Sequence, residues 1–329
     1  MPTLANLSAQ LWFLVSDSSN SSETSNGLGN YYDVLSVWTS LARPFGYGGG
    51  VEELTVHRRL ADPRRGGRPT TTRVHDVIAE SLPALSCPRI LDAGCGLGGT
   101  MLDFVRRYDG TAVGLTLSDT QRRRALHAAR VRGLDARIDV RVQSYDAPPV
   151  GPFDLVVAIE SLAHSVSPEK SVAALAAILR PGGVLAIVDD MPLPAALETE
   201  DFHAFKRGWL APVVWSRARF LEALGEAGLE VLVDRDVTQE LRVRTLDQAR
   251  RLTFANRWLR RVVPSKRWRS VLDSHHGGLA LERLYRRESM QYRLLVAKRA
   301  ANDHAPSSPR TERPSLKAGR LEAADAEAG

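Results

Sequence analysis

The stretch "LDAGCGLGG" (91–99) decides how the rest of the chain is read. It closes the apolar run "RILDAG" (89–94) and opens a segment of helical character over 98–108, so it is a strand-to-helix corner built of glycine. Gly94, Gly96 and Gly98 permit backbone turns that a side chain would strain. A corner of this kind is expected to present free backbone N–H groups and the positive end of a helix dipole to an anionic group. The same glycines satisfy a G-x-G-x-G and a G-x-G-x-x-G spacing, so the pyrophosphate of a dinucleotide and the carboxylate of an amino-acid-like cofactor both remain open.

Outward from this corner, short β-branched runs alternate with helical patterns from Arg89 to Asp190. The runs 89–94, 111–118, 138–144, 153–161 and 184–191 read as strands with near-continuous apolar centres, which strands covered on both faces require. Helices are expected at 98–108, 119–132 and 168–179, then a helix whose Phe220, Leu221 and Leu224 share one face. A sixth strand near 229–237 and a last one at 290–298 complete the pattern. The fold class is α/β: a Rossmann-like, doubly wound, mostly parallel seven-stranded sheet. One domain is expected over 30–299, with helical lid segments at 30–80, 192–215 and 240–289 at the sheet edge where such folds bind ligands. Residues 1–29 and 300–329 read as disordered ends.

Three neighbours of the glycine corner separate the two cofactors. Asp92 stands two residues before Gly94, where a carboxylate accepts from an ammonium group and repels a pyrophosphate. The second strand ends "GLTLSDTQ" (114–121), with Thr116, Ser118 and Gln121 where dinucleotide sites carry an acid for the ribose. "RPGG" (180–183) reads as a tight turn directly before the fifth strand. Together these favour S-adenosylmethionine over a nicotinamide dinucleotide.

The ordered set "LDAGCGLGG", "GLTLSDTQ", "FDLVVAIESLAH" (153–164) and "LRPGGVLAIVD" (179–189) resembles the class I S-adenosylmethionine-dependent methyltransferases. The second-strand form is similar to the branch of sterol, tocopherol and cyclopropane-fatty-acid enzymes and natural-product methyltransferases. "NYYDVLSVWTSLARPFGYGGG" (30–50) and "DRDVT" (234–238) resemble further segments of that branch. The resemblance implies that Asp92, Gly94, Gly96 and Gly98 surround the methionine moiety and that Thr116, Ser118 and Gln121 lie near the ribose. Where relatives often carry an acid for the adenine amine, "QSYDA" (143–147) places Ser144 and Tyr145, with Asp146 one position on.

Methyl transfer needs alignment above all, and a base only when the nucleophile carries a proton. Glu160 and His164 at the end of the fourth strand are the candidate catalytic residues, His164 having an intrinsic pKa suited to taking a hydroxyl proton. Tyr31, Tyr32, Trp38, Phe45, Tyr47, Trp209 and Trp215 fall in the lid segments and suggest a bulky, largely apolar small-molecule acceptor. O-methylation of a hydroxylated natural product is the favoured reading. The alternative is C-methylation of an isoprenoid or lipid alkene, with ring faces stabilising a carbocation.

Composition bounds the rest. The 329 residues carry a net charge of +6, but the arginines are scattered in pairs among acids, so no nucleic-acid partner is expected. The motif after the fourth strand is "ESLAHS", without the Pro-Pro-aromatic run of nucleic-acid methyltransferases. "LWFLV" (11–15) is too short to span a bilayer, and two cysteines fit a reducing, cytoplasmic compartment. His275-His276 in an expected glycine-bearing loop lack spaced partners, so no metal is expected. Monomer and homodimer both remain open.

Overall fold

The computed structural model describes residues 54–55, 57–165, 167–262 and 266–301. The expected disordered ends, apart from Ala300 and Ala301, and the lid aromatics Tyr31, Tyr32, Trp38, Phe45 and Tyr47 lie outside the described residues. A short antiparallel pair, β1 (Leu60–Asp62) and β2 (Arg68–Thr70), precedes helix α1 (Thr72–Ser81). The alternating part follows: β3 (Arg89–Ala93), α2 (Gly99–Tyr108), β4 (Thr111–Thr116), α3 (Asp119–Val131), β5 (Ile138–Val142), β6 (Phe153–Ile159), α4 (Pro168–Ala177) and β7 (Leu179–Pro192). Helices α5 (Glu200–Gly208) and α6 (Arg217–Glu226), strand β8 (Leu229–Asp236), helices α7 (Leu246–Val262) and α8 (Lys266–Arg286) and strand β9 (Met290–Arg299) complete it.

Among the described residues the main sheet has seven strands in the order β5-β4-β3-β6-β7-β9-β8, parallel except for β9, which runs antiparallel to both neighbours. Both faces are covered, as the apolar strand centres require. On one face, Phe104 of α2, Ala129 of α3, Phe205 of α5 and Leu284 of α8 pack on Ile90, Leu155 and Val184. On the other, Val172 and Leu175 of α4 and Phe220 and Leu224 of α6 pack on Leu91, Val156 and Leu185. The chain reverses its winding between β3 and β6, so the carboxyl ends of those two strands form the crevice where a ligand is expected.

Two local expectations change. β7 begins at Leu179, so "RPGG" lies inside the strand as a bulge: Phe153 pairs Leu179 while Leu155 already pairs Val184. The His275-His276 pair and its glycines lie in helix α8 instead of a loop. Packing overrides the local glycine signal there, because a Cβ on Gly208 would stand 2.8 Å from the Cα of Gly277, and only glycines let α5 and α8 come so close. No helix among the described residues is long and apolar enough to cross a membrane.

Candidate functional site

The glycine corner ends β3 at the crevice. Gly94, Gly96 and Gly98 all have positive φ, of 100°, 52° and 85°, so the loop conformation demands the glycines that the sequence supplies. A Cβ on Gly94 would meet that of Ser161 at 2.6 Å, which seats the loop directly on the end of β6. The expected display of free amides narrows to Gly96 and Leu97, whose N–H groups have no acceptor among the described residues. Gly94 and Cys95 donate to the Leu115 carbonyl at 3.1 and 2.8 Å, Gly98 to Cys95 and Gly99 to Leu54. These bonds tie the two ends of the loop to the end of β4 and to Leu54, because buried backbone donors must find acceptors.

Beside the Gly96 and Leu97 amides the corner offers a carboxylate and a hydroxyl. Asp92 is 2% exposed and its Oδ2 has no hydrogen-bond partner; the buried Ser161 Oγ likewise has none. Burial pushes the Asp92 carboxyl up to about 7. An orphaned, buried carboxylate oxygen fits a ligand that brings donors, and the ammonium group of an amino-acid-like cofactor is one.

Thr116, Ser118 and Gln121 are brought together at the end of β4, each buried. The Ser118 Oγ caps α3 by accepting from the Gln121 amide at 3.0 Å, while the Thr116 hydroxyl donates to Gln121 Oε1 at 2.7 Å. They form one network whose bonds are already made. Tyr145 donates its hydroxyl to the Ser161 carbonyl at 2.8 Å, tying the end of β5 to the residue that seats Gly94. Ser144 donates to Asp146 at 3.1 Å, and Asp146 in turn accepts from Ser165 and Ser171, which pins the same corner to α4.

Glu160 directly follows β6 in a left-handed conformation, φ 49°, where a residue with a side chain is uncommon and often functional. Its Oε1 accepts from the Arg58 amide and the Tyr292 hydroxyl, both at 2.8 Å. His164 lies on the single helical turn Leu162–His164, with Nδ1 3.3 Å from the Leu210 carbonyl. Burial lowers its pKa, so its imidazole is neutral at pH 7.

Beside Glu160 opens a cavity of about 690 Å3, which Glu160 lines and His164 does not. The structure adds residues there that sequence reasoning missed. Arg58 makes a two-pronged pair with Asp190 at 3.0 and 2.8 Å, and its guanidinium lies 5.1, 5.4 and 5.9 Å from the ring centres of Trp209, Tyr285 and Tyr292. The protein's own cation therefore occupies the face of Trp209 that the sequence offered to a carbocation. Trp215 is buried in the core against Phe220. His57 also lines the cavity; its Nε2 stands 3.1 Å from Nε2 of the fully buried His75, whose Nδ1 is 3.4 Å from Asp103. Burial first, and the neighbouring His75 second, lower the His57 pKa to about 3. The one available sequence signal was "DD" at 189–190, two acids ending an apolar strand.

Residues 72–194, from α1 through the end of β7, match the family model described as mycolic acid cyclopropane synthetase. The chain is 34% identical over 176 residues to the 27-O-demethylrifamycin SV methyltransferase of Amycolatopsis mediterranei, covering 52% of this chain and 65% of that one. It is 28% identical over 177 residues to the sterol 24-C-methyltransferase of Candida albicans, covering 52% and 47%. The chain thus spans between about half and two-thirds of the length of these curated relatives. In fold it is similar to the [4+2]-cyclase SpnF, with a TM-score of 0.66 at 23% identity, over 86% of this chain and 98% of that one. The motifs of the glycine corner, the seven-stranded sheet and these matches agree: over residues 72–194 the chain is similar to the class I S-adenosylmethionine-dependent methyltransferases, in the branch that holds the sterol, cyclopropane and natural-product enzymes.

Proposed function

We propose that this chain transfers a methyl group from S-adenosylmethionine to a hydroxyl oxygen of a small-molecule acceptor. The observation that carries the reading is Asp92, a buried carboxylate whose Oδ2 lacks a donor beside a loop of three left-handed glycines. A dinucleotide would bring a second negative charge to that oxygen; an ammonium group brings the missing donor. When bound, the cofactor supplies an electrophilic methyl on a sulfonium.

The chain's residues do the rest. Asp92, with Gly94, Gly96 and Gly98, holds the amino-acid end. The Thr116, Ser118 and Gln121 network borders the ribose, and Ser144 and Tyr145 border the adenine. His164 is proposed to take the hydroxyl proton: with its Nδ1 proton directed at the Leu210 carbonyl, the lone pair lies on Nε2, and burial keeps the ring neutral. Glu160, already an acceptor from two donors and beside the Arg58 guanidinium, is proposed to fix charge in the cavity wall. Oxygen is favoured over an alkene carbon because the two described aromatics that the sequence set in the lid, Trp209 and Trp215, are held by Arg58 and by the core. The segments 192–215 and 240–289, with the described part of 30–80, are proposed as lid material of one unit over 30–299. A cytoplasmic location is proposed on the unbridged Cys87 and Cys95.

The test is incubation of the full chain with methyl-labelled S-adenosylmethionine and a panel of hydroxylated small molecules, with RNA as a parallel arm. Label is expected on an acceptor oxygen, matched by release of S-adenosylhomocysteine. Label on RNA, or conversion of an acceptor without incorporation of label, would contradict the reading.

A further inference from the structure

The wall of the 690 Å3 cavity is unusually cationic. Leu60 and Leu241 form an isolated antiparallel bridge, and beside it the Arg242 amide donates to the Arg59 carbonyl at 3.1 Å. That register sets Arg59 and Arg242 directly opposite each other on one face of the pair. Both line the cavity, as do Arg58, Arg244 and Arg251. The two acids in the wall are engaged: Glu160 accepts from the Arg58 amide near the Arg58 guanidinium, and Glu282 pairs with Arg244. Arg58 is further neutralised by Asp190. Arg242 and Arg251 make no ion pair with any described residue, so their charge is uncompensated within the described wall.

Like charges directly opposite across a strand pair are destabilising, and guanidinium forks are matched in shape to oxyanions. The remaining wall is amphipathic, with Leu241, Val243, Leu252 and Trp209 beside Thr245 and Gln248. We propose that the cavity takes an acceptor with an apolar body and an oxyanion end, a phosphate or carboxylate group, gripped by Arg242 with Arg59 and Arg251. The proposal rests on the methyl-transfer reading and adds to it that the cavity beside Glu160 holds the acceptor, and it amends the largely apolar acceptor expected from sequence.

The test titrates the full chain with pyrophosphate, inorganic phosphate and acetate at constant ionic strength, with chloride as control, by calorimetry and thermal unfolding. S-adenosylhomocysteine is titrated in parallel. At least one oxyanion is expected to bind saturably, and Arg242→Gln to weaken it about tenfold or more, the worth of a charge-assisted bond. Phosphate-type or acetate binding tells which oxyanion the site takes. Arg250→Gln, at an exposed position of α7 outside the cavity wall, is expected to leave it unchanged. S-adenosylhomocysteine affinity in Arg242→Gln should stay within about twofold of wild type, showing a folded site. Oxyanion binding no stronger than chloride, or undiminished in Arg242→Gln, overturns the proposal. Failure of the wild type to bind S-adenosylhomocysteine overturns instead the methyl-transfer reading, whatever the oxyanions do.

Discussion

Asp92→Asn is expected to stabilise the unliganded protein at pH 8 while greatly weakening its hold on the cofactor. The folded-state pKa of Asp92 is raised by burial to about 7, above its unfolded value near 4. Between those values the folded state binds the extra proton, so this group's contribution to stability falls as pH rises from about 4 to about 7. At pH 8 the folded chain carries a buried carboxylate oxygen without a donor. Replacing it with a neutral amide should gain roughly 1–3 kcal/mol there, the cost of an unsatisfied buried group, and much less at pH 5. Affinity for S-adenosylhomocysteine should fall on the order of a hundredfold, about 3 kcal/mol for a lost charge-assisted bond. Thermal unfolding at the two pH values and calorimetry check both halves. A variant less stable than wild type at pH 8, or one that binds as before, would remove Asp92 from the cofactor site.

His164→Ala is expected to keep S-adenosylhomocysteine binding within about twofold and to lose turnover by roughly two to four orders of magnitude, the usual contribution of a general base. Because burial lowers the pKa of this imidazole, the wild-type rate should begin to fall only below the ordinary histidine range as pH drops, and this group should leave it flat above pH 7. His57→Gln is the informative comparison. The His57 ring lines the cavity and is backed by His75, so its loss should raise KM for the acceptor more than it lowers kcat. The reverse split, with His57→Gln losing kcat and His164→Ala retaining it, would move proton removal to the cavity wall.

The sheet was legible in the sequence because each of its strands is a local pattern. The runs 89–94, 111–118 and 153–161 correspond to β3, β4 and β6 within about two residues, since apolar strands bounded by glycine and helix caps need no distant information. The departures come where packing or backbone satisfaction overrules local composition. "RPGG" joins β7 because β6 continues beside it, and Gly277-Gly278 sit in a helix because α5 crosses there. The free-amide expectation narrowed to Gly96 and Leu97 for the same reason: Leu115, twenty residues on, takes the Gly94 and Cys95 donors.

The cofactor side of the site was likewise visible as ordered motifs, whereas the cavity was not. Arg58 reaches Glu160 across 102 residues and Asp190 across 132, and Tyr292 reaches Glu160 across 132. No single-sequence periodicity links such positions, so Trp209, read as part of an aromatic lid, turned out to hold an arginine together with Tyr285 and Tyr292, which the sequence did not single out.

The central claim is that a buried acid at the glycine corner receives the amino group of the methyl donor's amino-acid end. The most direct test is a crystal structure of the full chain with S-adenosylhomocysteine. The predicted result is a ligand in the crevice between β3 and β6, with its amino group within hydrogen-bond reach of Asp92 Oδ2. A ligand seated elsewhere, or one in the crevice whose amino group leaves that oxygen without a donor, would contradict it.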